Sequence, residues 1–516
     1  MGIIRNAFTV GGFTLLSRIV GFVRECFMAF CLGASPCSDA LLVAVRVPNT
    51  FRRIFAEGAF NASFLPRFSK VYHSDGIERA DEILSEVFSL LLLILIPFSL
   101  VIIAIFPSFL RLLVSGFDTL SEKFALTVSL GRICFPYLIF ISVSSLLGGV
   151  LNTINRFAAA SAAYSLLSVF TICGLLIGYF LNFPNTITVH CVAWSVFFSG
   201  MAQSSLLFLS ASRHGFHLKF KLHCLTKTVK DIMRNMGPGL IGAGVWQLNL
   251  LIDTTISSFL PTGTITCINL ADRLNQFPLG TLGIAMSTAL LPQLAKSVGQ
   301  HEYNQAVFQL ERGLLVSFFM TFFATALLLA LSEQMVSVAF QRGRFEDEQV
   351  MITASAVRGF AIGLPAYMLT KVFSALYFAA GNTKSPVIFG IISMILNVVF
   401  LLLLVPILKY FGLALCTSLS AISQATLLVL RNKIPIHFTR GFWQKIAAQA
   451  TAAVITYLFL QKMAEMVWKK SPWIQTHEWL GFASFFVSAA GVFFFICVAY
   501  LAVCGQQWKL WKKEVW

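Results

Sequence analysis

The sequence predicts an all-α, polytopic membrane protein of about fourteen transmembrane helices, and three observations support this. Of its 516 residues, 57% are hydrophobic and 12% are charged, whereas about a quarter are charged in soluble domains. Apolar runs such as 87–106 and 482–503 are long enough to cross a hydrocarbon core of about 30 Å as helices. An internal repeat also relates the two halves of the chain.

Charged, glycine-rich or proline-containing connections separate the predicted spans, each of which is about 20 to 25 residues long. An even number of spans places both chain ends on one side of the membrane. The connections on that side carry most lysines and arginines, so both termini are expected in the cytoplasm. The spans begin near Ala7, Asp39, Ile83, Phe124, Phe157, Thr186, Val229, Ile265, Phe308, Met351, Ser385, Phe411, Phe442 and Leu480.

The repeat is visible in FLPRFSK at 64–70, which returns as LLPQLAK at 290–296. The chain between the two copies is long enough for six spans. Because six is an even number, the second half enters the membrane in the same orientation as the first. Parallel repeats of this kind place substrate near the midplane of their interface. The predicted parts are a first lobe of six spans, a basic cytoplasmic linker, a second lobe of six spans and two additional spans, at 1–213, 214–228, 229–431 and 432–516.

Composition excludes several classes of protein. The net charge of +16 is spread over short connections and not gathered into a basic domain with aromatics, so no nucleic acid partner is expected. The eleven cysteines form no CxxC pair and no ligand spacing with histidine, so neither a disulfide framework nor a metal is expected. No cofactor is expected either. The amino-terminal segment has no cleavage site and is interpreted as a retained first span.

Ionisable residues inside the predicted spans are the strongest functional signal. Each costs about 2.5 to 3.5 kcal/mol at the centre of a lipid-facing helix, so these side chains should face protein or water. They are Arg18, Arg24, Glu25, Asp39, Arg46, Arg52, Arg53 and Glu57 in the first two spans, Asp253 in the seventh, Asp272 and Arg273 in the eighth, and Arg358 and Lys371 in the tenth.

The segment NTFRRIFAEGAF at 49–60 has two interpretations. Its charges fit a cytoplasmic loop or surface helix, but its repeat counterpart at 271–296 is mostly apolar and also carries an acid and an arginine near its start. The repeat therefore favours the middle of a spanning helix. On such a helix Arg53 is four residues from Glu57 and can pair with it, whereas Arg52 lies about 100 degrees away without a carboxylate in reach.

The first span shows a similar division. Arg18 and Glu25 are seven residues apart and share a stripe, which leaves Arg24 on another side of the helix. Arginines that line an internal cavity favour an anionic guest, since the guanidinium fork matches phosphate or carboxylate oxygens. The alternative is pairing with a carboxylate of a neighbouring helix, such as Asp272. Asp253 and Asn397 are candidate ligands of a coupling cation, or partners of backbone or arginine groups.

Three segments carry a family resemblance: SRIVGFVRE at 17–25, SDALLVAVRVPNTFRRIFAEGAFNASFLP at 38–66 and ADRLNQFPLGTLGIAMSTALLPQLAK at 271–296. They resemble the signature segments of the MurJ (MviN) lipid II flippases in the multidrug/oligosaccharidyl-lipid/polysaccharide exporter superfamily. The resemblance implies two lobes around a central cationic cavity, with the last two spans forming a groove for a lipid tail. It implies transport, not catalysis, in the bacterial inner membrane.

The implied substrate is lipid II, the undecaprenyl-pyrophosphate-linked disaccharide pentapeptide. The resemblance implies its transfer to the periplasmic leaflet by alternating access for cell wall synthesis, with membrane lipids and the synthesis machinery as further partners. Matched by motif, the substrate-binding arginines are Arg18, Arg24, Arg52 and Arg273, and the acidic position is Asp39. Glu25, Arg53, Glu57 and Asp272 would support or gate the cavity. A family sodium site uses carboxylates of the seventh and eleventh helices, and Asn397 in place of an acid leaves sodium coupling open.

Other functions remain as alternatives. A related exporter of drugs or polysaccharide lipids would share the fold, but cationic drugs favour a carboxylate-rich cavity. A membrane enzyme acting on lipid-linked sugars needs a metal-binding acidic motif or a carboxylate base, and the one dense acidic run, FEDEQ at 345–349, lies in a predicted outside loop. A scaffold without transport does not explain the charges within the spans.

Overall fold

The protein is described by a computed structural model that covers residues 2–53, 59–221, 226–280, 284–432, 438–468 and 478–503. Every regular element within these ranges is a helix. Eight of the described helical segments are long and apolar enough to cross a membrane. The prediction of an all-α, multi-pass membrane protein is confirmed, and the helices are consistent with the predicted count of spans.

The first of two compact units contains Met1–Thr266 and Arg342–Phe345. This unit includes a helix that the repeat assigns to the second half of the chain; the predicted lobe boundaries rest on the repeat and stay a prediction. The helices are α1 (Gly2–Leu32), α2 (Pro36–Arg52), α3 (Ala59–Ser74), α4 (Gly76–Leu113), α5 (Glu122–Cys134), α6 (Tyr137–Thr153), α7 (Phe157–Phe180), α8 (Asn185–Ser212) and α9 (Lys227–Ser257).

The second unit contains Cys267–Gln341 and Glu346–Trp516. The predicted eleventh and twelfth spans lie in one long helix, α15, which is interrupted by the non-helical backbone of Lys409 (φ 47°). The helices are α10 (Thr264–Pro278, which begins in the first unit), α11 (Ile284–Gly299), α12 (Tyr303–Ala330), α13 (Ser332–Phe340), α14 (Asp347–Ala379), α15 (Lys384–Leu430), α16 (Arg440–Met463, followed by a π-helical turn at Ala464–Trp468) and α17 (Glu478–Val503).

Short polar residues set where several helices begin. Ser35 and Ser38 form a reciprocal capping box at the start of α2, and Pro36 occupies the first turn, where its missing N–H costs nothing. Ser121 caps α5 and Thr439 caps α16 by accepting a hydrogen bond from a backbone N–H of the first turn. These starts fix the register of the charged residues that follow them.

Close helix packing in the first unit depends on small residues and large aromatic rings. Phe64, Phe68, Phe106 and Phe135 are fully buried in one cluster. A Cβ atom on Gly131 would lie 2.1 Å from Cζ of Phe106, so only glycine admits this ring. Within lipid, where apolar burial between helices gains little, such packing is what holds helices together.

The second unit uses the same device where α14 meets α15. Ser418 donates a hydrogen bond to the carbonyl of Gly359 (2.7 Å), and a Cβ on Gly363 would lie 2.5 Å from the Ser418 hydroxyl. The last helix, α17, packs on α12 through Phe493, whose ring centroid is 5.4 Å from that of Phe323. The last helix of the predicted lipid-tail groove is thus joined to α12 by an aromatic contact.

Candidate functional site

Asp39 is a buried charged residue whose hydrogen bonds are well defined. It lies in the first turn of α2, is 1% exposed, and accepts four hydrogen bonds through its carboxylate. The donors are Nζ of Lys123 (2.8 Å), the backbone N–H of Gly263 (2.7 Å), the backbone N–H of Thr266 (3.0 Å) and the Thr266 hydroxyl (2.7 Å). These donors satisfy both oxygens of the buried carboxylate.

Asp39 acts as a cap for α10, which begins at Thr264. A helix amino terminus has unsatisfied N–H groups and a partial positive charge, so a buried carboxylate is stabilised there. The Thr266 hydroxyl also lies 3.1 Å from that of Ser38. The sequence repeat relates α2 to α10. The helix α2 therefore supplies the acid, Asp39, that caps its repeat counterpart α10.

Lys123 was not singled out as functional by sequence reasoning. It lies in the first turn of α5, and its Nζ is 4.1 Å from the ring centroid of Phe117 as well as 2.8 Å from Asp39. Its only signal in the sequence is its place in an outside connection next to an acidic residue. In the sequence, a lysine in a connection counts only toward the charge bias that orients the spans. Its contact with Asp39 depends on the packing of α5 against α2.

The expected division of charges on α1 is wrong in one respect. Arg24, placed away from a carboxylate by helical geometry, forms an ion pair with the adjacent Glu25 (2.5 Å). Glu25 is 1% exposed, and a long arginine side chain can turn back to reach a neighbour about 100 degrees around the helix. Arg18 is half-buried on the same helix.

Arg46, seven residues after Asp39 on α2, contacts α9. Its Nη1 donates to the hydroxyl of Thr254 (2.5 Å), next to the half-buried Asp253. The helix α2 therefore contacts the end of α9 through Arg46 and the start of α10 through Asp39.

The arginines of the NTFRRIFAEGAF segment differ in exposure. Arg52 is half-buried at the last residue of α2, and Arg53 is exposed at the position that caps its carboxyl end. Glu57, the predicted partner of Arg53, lies outside the described residues, as does the rest of 54–58. The prediction of one continuous helix through this segment also falls partly there, between α2 and α3.

The remaining predicted residues belong to the second unit. Asp272 accepts a hydrogen bond from the side chain of Gln276, one turn later on α10. Arg273, the next residue, is exposed, and Asn397 is fully buried in α15. Within the described ranges, no three histidine, cysteine or acidic side chains come close enough to hold a metal ion.

Comparison with known proteins identifies the family. Residues 28–476 match the family model described as "Lipid II flippase MurJ". A probable lipid II flippase of Rhizobium meliloti is 36% identical over 415 residues, which cover 80% of this chain and 77% of the relative. One of Rickettsia prowazekii is 36% identical and covers 82% of each chain. The lipid II flippase of Burkholderia cenocepacia is 32% identical, covering 88% of this chain and 89% of the relative.

Solved structures agree on the fold. A lipid II flippase in an inward closed conformation matches with a TM-score of 0.78, at 22% identity, over 96% of this chain and 98% of that one. An inward-facing multidrug transporter of the same superfamily matches with a TM-score of 0.69, at 15% identity, over 84% and 95%. The family match spans most of the chain, and the chain belongs to the MurJ lipid II flippase family.

Proposed function

We propose that this protein carries lipid II from the cytoplasmic to the periplasmic leaflet of the bacterial inner membrane. The observation that carries the proposal is a set of guanidinium groups on helices of a membrane protein whose relatives are named lipid II flippases. Lipid II bears a pyrophosphate, and arginine binds phosphate oxygens in a bidentate fashion that lysine does not reproduce.

The proposed binding groups are Arg18, Arg24 and Arg52 in the first unit and Arg273 in the second. The ion pair with Glu25 orients the Arg24 side chain, and the remaining N–H donors of its fork would bind the anion. Asp272 would orient Arg273 as its neighbour on α10. These groups would neutralise the headgroup while it crosses the membrane.

We assign Asp39 to gating. Its carboxylate holds the start of α10 through the N–H groups of Gly263 and Thr266. In an alternating-access cycle the two states differ in which contacts are made, and a buried carboxylate with four donors stabilises the state that contains them. Lys123 adds a charged donor to that state.

The lipid tail would follow a groove formed by α16 and α17. Support for this comes from the anchoring of α16: the buried Glu311 of α12 accepts from the backbone N–H of Thr439 (2.6 Å) and from its hydroxyl (3.3 Å). A firmly held entry to α16 would keep the groove aligned with the rest of the unit.

Topology, partners and coupling complete the proposal. The lysine and arginine bias supports cytoplasmic termini. The expected partner is the cell wall synthesis machinery, because the proposed cargo is a peptidoglycan precursor. If transport is coupled to a cation, the candidate ligands are Asp253 of the first unit, which is charged, and, considered separately, Asn397 of the second unit, which is neutral. A sodium gradient that leaves the transport rate unchanged would exclude this coupling.

The test is transport of labelled lipid II in liposomes that contain the purified protein. Arg52→Ala and Arg273→Ala should each lower the rate about tenfold or more, because a hydrogen bond to a charged group contributes about 1.5 to 3 kcal/mol. Arg111→Ala, an exposed arginine in the last turn of α4, is the control. Unchanged transport in both test variants would refute the proposed roles.

A further inference from the structure

After α8 the chain runs along the side of α4 as an extended segment, residues 216–221, which we call the strap. Backbone N–H groups of alternate strap residues donate to side chains of α4 that are four residues apart. The pairs are His217 N with Oδ1 of Asp81 (2.8 Å), Lys219 N with Oγ of Ser85 (3.1 Å) and Lys221 N with Oγ of Ser89 (2.8 Å).

The spacing explains why the pairing continues over three successive pairs. Four residues of an α-helix rise about 6.0 Å, and two residues of an extended chain advance about 6.6 Å. An acceptor on every fourth helical residue therefore stays in register with every second strap N–H. The strap is a defined element of the first unit.

Both ends of the strap are also held. Phe216 is 1% exposed, and its ring centroid is 5.9 Å from that of Phe68. Beyond the strap, the Thr226 hydroxyl donates to the buried carboxylate of Glu86 on α4 (2.8 Å) and accepts from the N–H of Val229, which caps α9.

This geometry sorts the side chains of the strap. Side chains alternate in an extended chain, so His217, Lys219 and Lys221 share one face, about 6.6 Å apart, while Phe216, Leu218 and Phe220 share the other. On that other face Phe216 is buried and Leu218 is half-buried, whereas Phe220 is 54% exposed. The strap therefore carries two lysines on one face and an exposed aromatic ring between them on the other.

The nearby acids make their hydrogen bonds and ion pairs with groups other than these lysines. Asp81 accepts from the backbone of His217, Glu86 binds Thr226, and Glu82 pairs with Arg79. Across the part of the chain that the structure describes, no salt bridge involves Lys219 or Lys221.

The strap lies beside the start of the apolar run of α4. This run begins near Val87, and the last hydrogen bond of the ladder is at Ser89. We therefore expect the basic face at the level where α4 enters the hydrocarbon, on the side that the charge bias assigns to the cytoplasm.

We propose that the strap is a binding surface for the headgroups of anionic phospholipids, with Lys219 and Lys221 at the phosphates and Phe220 in the interfacial layer. Each lysine at an anionic surface contributes about fivefold in affinity. The proposal does not depend on the nature of the transported substrate.

The test titrates the full-length protein in neutral detergent with phosphatidylglycerol or phosphatidylcholine and counts bound lipids by native mass spectrometry. The wild type should prefer phosphatidylglycerol, and Lys219→Gln/Lys221→Gln should weaken its binding about 25-fold. The matched control is Lys296→Gln/Lys384→Gln, which removes two exposed lysines elsewhere. An equal loss in the control, or no loss in the strap variant, would overturn the proposal.

A second variant separates charge from geometry. Ser85→Ala/Ser89→Ala keeps both lysines but removes two acceptors of the ladder, so binding should weaken at least about fivefold while circular dichroism stays helical. Wild-type affinity in this variant would refute the ordered strap as the site. Inorganic phosphate at millimolar concentration should not displace the lipid; displacement would assign the surface to free phosphate instead.

Discussion

Asp39 and Thr266 are joined by two hydrogen bonds: one carboxylate oxygen, Oδ1, accepts from both the backbone N–H and the hydroxyl of Thr266, at 3.0 and 2.7 Å. Asp39 and Thr266 lie in the first turns of α2 and α10, two helices that the sequence repeat relates. Because both are buried, neither group can exchange its partner for water without the local packing opening. This bond pair is where we expect a conformational change to be most sensitive to mutation.

Replacing Asp39 with asparagine tests the importance of the charge at nearly constant shape. Asp39→Asn leaves the Lys123 ammonium without its carboxylate and should lower the free energy of unfolding by about 3 kcal/mol, as for other broken buried ion pairs. Thermal unfolding in detergent measures this loss, and liposome transport should fall at the same time. Asp118→Asn, in an exposed loop, should change the unfolding free energy by less than about 1 kcal/mol. Equal stability of the two variants would contradict the capping role.

Lys123 and Asp39 should show energetic coupling. Lys123→Met removes one charged donor and leaves the three donors of Gly263 and Thr266 in place. In a double-mutant cycle with Asp39→Asn, the two losses should fall short of additivity by about 1 to 3 kcal/mol, because each mutation breaks the same contact. The unfolding free energies of the four proteins provide the measurement. Strict additivity would mean that the 2.8 Å contact contributes nothing.

Gly33 should not tolerate a side chain. Its φ is +60°, and a Cβ would lie 2.3 Å from the carbonyl oxygen of Arg344, whose N–H donates to the carbonyl of Phe30. Gly33→Ala should therefore destabilise the protein by about 1 to 3 kcal/mol and increase proteolysis at the 342–345 loop. Gly12→Ala, a helical glycine with no neighbouring atom within 4 Å, should be neutral or slightly stabilising. The reverse order of stability would refute this reading of the contact.

Glu311 should control the first turn of α16. Glu311→Gln replaces a charged acceptor of the Thr439 N–H with a neutral one and should cost about 1 kcal/mol locally. Hydrogen–deuterium exchange at 439–445 should accelerate several-fold, while exchange in α7 stays unchanged. Glu302→Gln, at an exposed position just before α12, is the matched control. Equal exchange in the two variants would rule out the anchoring role.

The site was only partly predictable from the sequence. Arg18, Arg24, Asp39 and Arg52 could be singled out because a charge within an apolar segment is costly wherever the helix packs. The partners of these residues could not be predicted. Arg24 pairs with the adjacent Glu25, against the expectation from helical spacing. Helical geometry restricts the direction of a side chain but leaves a flexible arginine several partners within reach.

The contacts of the strap, which lies between α8 and α9, could not be predicted from the sequence either. Its basic composition was evident, and the sequence supported a cytoplasmic linker. The ladder to Asp81, Ser85 and Ser89 was not evident, since serines four apart on a helix are common and carry no sign of an extended partner more than a hundred residues later.

The sequence by itself determined the helical, multi-pass class and the presence of buried charge, because these follow from local apolar length and from the cost of placing ions in hydrocarbon. Only the tertiary structure decided which groups satisfy those charges. Lys123 and Thr266 are separated from Asp39 by 84 and 227 positions along the chain, and their meeting depends on how α2, α5 and the start of α10 pack. A buried carboxylate must find donors, but the fold alone determines which donors they are.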